Sequence, residues 1–168
     1  MKPEDTVETT VRVRYAETDA KGVVYHANYL IWFEVGRGEY LRSLGQEYRA
    51  WEQEGYLLPA VEAHVRYRAP ARYDDRVVIR TWLQEVRSRS LTLSYEAVEA
   101  QSCQVLATGW TRPICIDQEG HARRLPELLL APQPQEHATA QASRAPAPGA
   151  PPGSSHDTPG GSDRAGAP

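Results

Sequence analysis

The sequence is poor in cysteine and in long apolar runs. Its two cysteines, Cys103 and Cys115, form no CxxC pair, which excludes a disulfide framework and a zinc site and fits reduced residues in strands. No stretch approaches the roughly 18 apolar residues of a membrane span. The N-terminus lacks the apolar segment of a signal peptide. We therefore expect a soluble cytoplasmic protein without a membrane span or a bound metal.

Lysine is also scarce. Lys2 and Lys21 are the only two lysines, so arginine supplies the rest of the 19 cationic residues in a chain of net charge −3. The negative net charge argues against a nucleic-acid partner, although it does not exclude local basic patches. A GC-rich genome accounts for the arginine bias. Phosphate recognition is the functional alternative, because the planar guanidinium group suits phosphate.

The C-terminal stretch lacks valine, isoleucine, leucine, methionine and aromatic residues. Residues 132–168 contain 8 prolines, 5 glycines and 8 alanines among 37 residues. Such a segment cannot bury enough apolar surface to offset its ordering entropy. We predict a disordered tail over residues 132–168 and one folded domain over residues 1–131, which is long enough for a single core.

The hydrophobic periodicity predicts one long helix followed by a run of strands. The helix extends from His26 or Asn28 to Leu44, with Gly45 as the residue that ends it. The other predicted elements are, in chain order, a strand at 11–15, a short helix at 46–54, and strands at 61–67, 77–86, 91–95 and 105–116. No helix alternates with the later strands, which excludes a parallel doubly wound sheet. The order favours an α+β domain in which an antiparallel sheet packs on one long helix.

Gly36, Arg37 and Pro113 are unusual for the elements in which they occur. The predicted apolar face of the helix consists of Tyr29, Leu30, Phe33, Gly36, Tyr40, Leu41 and Leu44. Gly36 costs about 1 kcal/mol of helix propensity relative to alanine, so its place on this face predicts a very close approach to another backbone. Arg37 interrupts the apolar face. Pro113 predicts an edge position or a bulge in the last strand.

A loop containing a carboxylate joins the first strand to the long helix. The free N–H groups at the start of a helix, together with the positive end of its dipole, form a site for an oxyanion. Asp19 is therefore placed to attack, or to activate water toward, a carbonyl whose oxygen rests on N–H groups near His26. The residue types alone leave a second interpretation open, in which Asp19 is a cap, His26 an ordinary hydrogen-bonding side chain and Tyr25 a packing residue.

Three motifs in this order resemble the 4-hydroxybenzoyl-CoA thioesterase-like hotdog family, above all the branch of acyl-CoA thioesterases encoded with the bacterial Tol-Pal system. The first motif is Thr18-Asp19-Ala20-x-Gly22-Val23-Val24-Tyr25-His26-Ala27-x-Tyr29. The second is Tyr67-x-Ala69-Pro70-Ala71-Arg72-x-Asp74-Asp75, and the third, weaker one is Arg87-Ser88-Arg89-Ser90-Leu91. The resemblance covers about residues 8–131 and stops at the predicted tail.

The resemblance implies the hotdog fold, an antiparallel β-sheet wrapped around a long central α-helix. It also implies an acyl-CoA thioesterase that releases a free acid and coenzyme A and needs no cofactor, coenzyme A being part of the substrate. Family members form dimers whose sheets join edge to edge, often paired again into homotetramers. Their active sites lie at the subunit interface, so we expect a homo-oligomer.

The resemblance also assigns site residues. Asp19 matches the catalytic carboxylate, as nucleophile or general base, and the N–H group of His26 matches the one that polarises the thioester carbonyl. The His26 side chain matches a histidine implicated in catalysis in the Tol-Pal branch. Tyr25, Arg87, Ser88 and Arg89 are candidates for substrate binding, the two arginines for the phosphates of coenzyme A. An ordinary solvated turn is the alternative for Arg87 and Arg89, and residues 46–54 and 56–59 are candidates to line the acyl pocket.

Two other functions remain open at this point. Some hotdog proteins hydrate or dehydrate acyl thioesters, but the chain contains neither a His-Phe-x-x-x-Pro stretch nor an Asp-x-x-x-x-His pattern. A binding protein for acyl carrier protein or for envelope machinery, with weak catalysis, is the non-enzymatic alternative. The presence of both Asp19 and His26 argues against a complete loss of activity.

Overall fold

The structure, a computed structural model, describes residue 3, residues 5–45 and residues 48–130. The strands are β1 (Val7–Arg12), β2 (Ala60–Tyr67), β3 (Arg76–Val86), β4 (Leu91–Glu99) and β5 (Val105–Pro113), and the helices are α1 (Asn28–Ser43), α2 (Tyr48–Gln53) and α3 (Glu127–Leu130). The predicted tail and the domain boundary at residue 131 lie outside the described residues.

The five strands form one sheet in the order β1-β3-β4-β5-β2, and every neighbouring pair is antiparallel. Successive hairpins join β3, β4 and β5, whereas β2 pairs with β5 and β1 with β3. Helix α1 packs on one face of this sheet. The predicted antiparallel sheet on a long helix is therefore confirmed, with β1 and β2 as the two edge strands.

Helix α1 begins at the predicted Asn28 and ends next to Gly45, whose φ of 78° is the left-handed value expected after a helix. Its buried residues are Tyr29, Trp32, Phe33, Gly36, Tyr40 and Leu41. The prediction that Leu30 is buried is wrong, since this residue is 39% exposed. Trp32 takes part in the buried face because its indole N–H donates to a buried carboxylate, that of Glu17.

Two glycines let α1 lie against the sheet. A Cβ added at Gly36 would overlap Thr81 Oγ1 and stand 2.9 Å from Ile79 Cγ2, so the helix approaches β3 closely, but the prediction that it approaches another backbone is wrong, because the nearest atoms are side chains. On β5, a Cβ at Gly109 would stand 2.6 Å from the ring of Phe33. The Phe33 ring thereby reaches Tyr95, on which it stacks with centroids 4.5 Å apart and an interplanar angle of 6°.

The predicted first strand is displaced. Strand β1 ends at Arg12 because the Val13 N–H donates to the Asp75 carbonyl outside the sheet. Tyr15, predicted to be in this strand, opens a single 3-10 turn over Tyr15–Glu17 and is exposed. The last strand is also shorter than predicted and ends at Pro113, opposite a register shift between Ala60 and Glu62, so the predicted irregularity is confirmed.

Both cysteines are free, but neither lies within a strand, so that part of the prediction is wrong. Cys103 is exposed in the β4–β5 turn, where its φ of 58° follows from the tight reversal. Cys115 is buried just after β5, and burial raises the pKa of its thiol.

Candidate active site

A small hairpin between the 3-10 turn and α1 holds Asp19. Thr18 forms an isolated antiparallel bridge with Val24, and the Asp19 N–H donates to the Val23 carbonyl at 2.8 Å. The Gly22 N–H closes the turn on the Asp19 carbonyl at 2.9 Å, and its φ of 72° is the positive value that glycine tolerates best. The backbone of Asp19 is therefore fixed by hydrogen bonds on both sides of the turn.

The Asp19 carboxylate has one engaged and one available oxygen. Its Oδ1 accepts the Lys21 N–H at 2.8 Å, while Oδ2 accepts no hydrogen bond from any described residue. The side chain thus caps its own turn rather than the helix. The residue is half-buried, so part of its surface is open to solvent, and its second oxygen has no partner among the described residues.

The start of α1 leaves backbone donors uncommitted. The first turn begins with the Asn28 N–H donating to Tyr25 at 3.0 Å and the Leu30 N–H donating to Ala27 at 3.1 Å. The N–H groups of His26 and Ala27 donate to none of the described residues, and no side chain caps this end. With the positive end of the dipole of a 16-residue helix behind them, these two groups suit a developing negative charge.

Two tyrosine rings lie next to the His26 ring. The centroid of the His26 ring lies 4.3 Å from that of Tyr25 and 6.3 Å from that of Tyr67. The Tyr67 hydroxyl donates to the His26 carbonyl at 2.9 Å, so the second motif holds the first. Burial raises the pKa of Tyr67 above its ordinary value, which is itself well above neutral pH, so the hydroxyl is protonated and can donate.

A buried carboxylate, that of Glu17, ties the hairpin to α1. It accepts the Arg14 N–H at 2.7 Å, the Arg14 guanidinium at 2.9 Å and the Trp32 indole at 3.1 Å. The Glu17 carbonyl accepts the Tyr25 N–H and the Asn28 amide, both at 2.8 Å. Burial acts to raise the pKa of the Glu17 carboxyl, but the hydrogen bonds from Arg14 and Trp32 outweigh it and hold the pKa below its usual value.

Sequence reasoning missed the roles of Glu17 and Tyr67. Both residues occur in or beside the matched motifs, yet neither periodicity nor spacing indicates that a buried acid anchors the hairpin. Asp19 and His26, which the sequence paired, share the hairpin and its end but form no hydrogen bond or ion pair with each other. Tyr25 is half exposed, at 49%, beside them.

The third motif forms an exposed turn between β3 and β4. The Arg87 guanidinium pairs with Glu85 at 2.9 Å, and the Ser88 carbonyl accepts the Leu125 N–H. The Arg89 carbonyl accepts the Cys115 N–H, and its guanidinium forms no ion pair with any described residue.

This turn lies far from the hairpin within one chain. Arg12, where the chain leaves β1 toward the hairpin, pairs with Arg76 at the first residue of β3. The turn follows Val86 at the other end of the same 11-residue strand. At about 3.3 Å per residue, the two ends are roughly 30 Å apart. A single chain therefore does not bring Arg87, Ser88 and Arg89 to Asp19.

A cavity of about 380 Å³ opens between α1 and β2. Leu30, Leu58 and Pro59 line it with apolar surface, and the role of residues 56–59 in an acyl pocket stays a prediction. Arg37 and Glu34 supply charged groups at its wall, 3.4 Å apart. Arg37 interrupts the apolar face of the helix because its guanidinium reaches over to donate to the Leu58 carbonyl at 3.4 Å.

Within the described ranges, no group of three or more histidine, cysteine, aspartate or glutamate residues is arranged to hold a metal ion. No helix among the described residues is long and apolar enough to cross a membrane.

Comparison with known proteins gives consistent matches. A family model described as the Thioesterase-like superfamily matches residues 13–146. The putative acyl-CoA thioesterase YneP of Bacillus subtilis is 38% identical over 110 residues, 65% of this chain and 78% of the relative. The acyl-CoA thioester hydrolase YbgC of Escherichia coli O6:H1 is 35% identical over 122 residues, 72% of this chain and 90% of the relative.

The fold is shared with a solved thioesterase. The DHNA-CoA thioesterase from Staphylococcus aureus superposes with a TM-score of 0.69 at 34% identity, covering 71% of this chain and 80% of that one. Together with the family match, this likeness confirms the predicted hotdog fold.

Proposed function

This chain belongs to the thioesterase-like superfamily, and we propose that it is a hydrolase that cleaves the thioester bond of acyl-coenzyme A to a carboxylic acid and free coenzyme A. One structural observation supports this activity above the others. The N–H groups of His26 and Ala27 are uncommitted at the start of α1, on the hairpin that presents Asp19. Two such N–H groups can hold the oxygen of a carbonyl group, while a nearby carboxylate attacks the carbonyl carbon or activates water toward it.

The proposed reaction uses the backbone as the electrophilic element. The thioester carbonyl oxygen accepts the N–H groups of His26 and Ala27, which stabilise the negative charge that develops when the carbon is attacked. Asp19 acts in one of two ways. As a nucleophile it forms an acyl carboxylate anhydride that water then cleaves, and as a general base it takes a proton from the attacking water. In both routes the carbon–sulfur bond breaks and the thiolate leaves as coenzyme A after protonation.

We assign the His26 side chain to the same site. Its ring is exposed on the turn that supplies the oxyanion donors, next to Tyr25, which we assign to substrate contact. The thioester is already an activated acyl group, so the assigned residues need neither a metal nor an organic cofactor.

We further propose that the complete site forms between two copies of the chain. Seven of the eight residues of β2 are exposed, and its outer edge pairs with no described strand. Antiparallel pairing of two β2 edges about a two-fold axis places the Tyr67 end of one sheet beside the Ala60 end of the other. The partner's turn with Arg87, Ser88 and Arg89 then approaches the hairpin that its own chain cannot reach.

The decisive experiment compares wild type with Asp19→Asn on a panel of short, long and aromatic acyl-coenzyme A substrates, by release of free thiol. We expect kcat/KM to fall by roughly 10²–10⁴-fold, as for loss of a positioned acid–base group, and further if Asp19 is the nucleophile. Glu119→Gln, which removes an exposed carboxylate from another turn, is the matched control and should keep the wild-type rate.

A folded Asp19→Asn enzyme with a near-normal rate would remove Asp19 from the mechanism. Hydration of enoyl-coenzyme A without thiol release would identify a hydratase instead. Turnover of acylated carrier protein, with no turnover of any acyl-coenzyme A, would keep the chemistry and change the carrier.

A further inference from the structure

The face of the sheet opposite α1 contains a patch of aromatic and cationic side chains. Its members are His64, Arg66, Arg68, Trp82 and Trp110, and they surround a cavity of about 350 Å³. We call this set the outer-sheet patch. It is independent of the hairpin and of the cavity between α1 and β2, and the activity described above does not use it.

The strand register explains how these side chains meet. His64 lies opposite Trp110, Trp110 opposite Ser94, and Ser94 opposite Trp82, so one row crosses four strands on one face. The small Ser94 leaves a depression between the two indoles. The rings of His64 and Trp110 stack with centroids 5.9 Å apart and an interplanar angle of 9°.

The patch has unused capacity for a ligand. Arg66 and Arg68 form no hydrogen bond or ion pair through their side chains with any described residue, and both are exposed. The half-buried Trp82 has no ring or cation partner within the described part of the chain, whereas Trp110 already contacts His64 and Arg112. Glu96, a carboxylate in the same wall, has its charge countered by Arg80 at 3.5 Å.

This chemistry selects a small ligand with a flat ring and a phosphate group. An indole face stacks a nucleobase, and two guanidinium groups bind phosphate. The net charge of −3 disfavours a long polynucleotide, and a cavity of about 350 Å³ is in the range of small-ligand sites.

We propose that the outer-sheet patch binds the adenosine phosphate part of coenzyme A, with adenine on Trp82 and phosphate on Arg66 and Arg68. This inference rests on the proposed function. The route is short, because Arg68 directly follows Tyr67, whose hydroxyl contacts His26 at the reacting end. The pantetheine arm then passes over the end of β2 from the hairpin to the outer face. The turn with Arg87 and Arg89 is the other candidate phosphate site, and in the proposed pairing of β2 edges the partner supplies it.

Binding is measured first, without any thioester. Adenosine 3′,5′-bisphosphate is titrated by calorimetry into wild type, Arg66→Gln/Arg68→Gln, Trp82→Leu and Asp19→Asn. We expect the double arginine variant and Trp82→Leu each to raise Kd by roughly tenfold, and Asp19→Asn to bind as wild type. Arg124→Gln, which removes one exposed guanidinium elsewhere, is the control for charge alone.

Kinetics then tests the assignment to the substrate. The double arginine variant should raise KM for an acyl-coenzyme A by about tenfold with little change in kcat. On the N-acetylcysteamine thioester of the same acid, which lacks the nucleotide, wild type and variant should be equal. Arg87→Gln/Arg89→Gln is measured in parallel.

Several results would overturn the inference. These are an unchanged Kd and KM in the patch variants, a rise in KM confined to the Arg87→Gln/Arg89→Gln variant, and equal losses on both substrates. A change in oligomeric state, measured by light scattering, would reassign the patch to contact between copies. A wild-type protein that binds the bisphosphate through the patch but hydrolyses no thioester would refute the proposed function and leave the patch in place.

Discussion

At the scale of single residues, two side chains hold the reactive turn without themselves supplying an attacking group. Tyr67 holds the carbonyl of His26, and Glu17 holds the hairpin on both sides of that turn. Because the proposed oxyanion donors are backbone groups, their direction depends on the peptide planes that these two residues fix. The roles of Tyr67 and Glu17 are tested by two separate variants.

Removing one hydroxyl tests the role of Tyr67. Tyr67→Phe keeps the ring contacts and loses the hydrogen bond to the His26 carbonyl, so kcat should fall several-fold to about tenfold while KM changes little. Tyr73→Phe is the matched control, since Tyr73 is also exposed and its hydroxyl bonds to no described residue. A change confined to the urea midpoint, with kcat intact, would assign Tyr67 to stability alone.

The buried acid predicts a pH dependence of stability. The folded-state pKa of Glu17 is lowered, so its contribution is present above the ordinary carboxyl value of 4.5 and is lost as the pH falls through the folded-state pKa. Glu17→Gln should therefore cost about 1–3 kcal/mol of unfolding free energy at pH 7. In urea titrations, the difference from wild type should shrink as the solution is acidified. A difference that stays constant across this range would trace the loss to packing instead.

At the scale of elements, the contact between α1 and the sheet depends on missing side chains. The ring of Phe33 occupies space that a Cβ at Gly109 would fill, and the side chains of Thr81 and Ile79 occupy space that a Cβ at Gly36 would fill. Because the hairpin continues directly into α1, the depth at which the helix packs on the sheet also sets the position of the proposed oxyanion donors.

The same substitution at two positions of α1 should have opposite effects. Gly36→Ala adds a Cβ against Thr81 and Ile79, and overpacking should destabilise the protein by about 1–3 kcal/mol despite the better helix propensity of alanine. Gly38→Ala meets nothing within 4 Å and should stabilise it by roughly 0.5–1 kcal/mol. Thermal unfolding of both variants is the measurement. Stabilisation by both would contradict the prediction for Gly36 and show that the side chains of Thr81 and Ile79 move to accommodate the added Cβ.

The elements differ in how far the sequence predicted them. The long helix was predicted nearly to the residue, because glycine ends it and its apolar residues recur at the helical period. The first strand was displaced, because the alternation continues through Val13 although the backbone there bonds to Asp75. The candidate site divides in the same way. The motif names Asp19 and His26 as candidates, and their catalytic roles stay predictions, whereas the hydrogen bonds of Glu17 and Tyr67 depend on packing between distant segments that no local pattern encodes.

At the scale of the whole molecule, the assigned groups lie at two ends of one sheet, and pairing of two β2 edges would reunite them. In the proposed dimer each active site therefore contains residues of both chains, with the Asp19 carboxylate from one and the turn with Arg87 and Arg89 from the other.

Mixed dimers test this arrangement. Asp19→Asn and Arg87→Gln/Arg89→Gln should each be weak alone. Co-refolded heterodimers should regain one intact site of the two, hence up to about half of the wild-type activity per dimer. Separate mixtures without refolding are the control. No recovery in verified heterodimers would place both groups in a site made by one chain.

Part of the wall of the cavity between α1 and β2 comes from a stretch of the chain remote from the hairpin. Glu17 to Asn28 contain Asp19 and the proposed donors and continue into the α1 side of the wall, whereas Leu58 and Pro59 belong to the segment before β2. We therefore expect the proposed reaction and the shape of this cavity to be separately heritable in part, since drift at Leu58 and Pro59 can change the cavity in a lineage that passes the hairpin on unchanged.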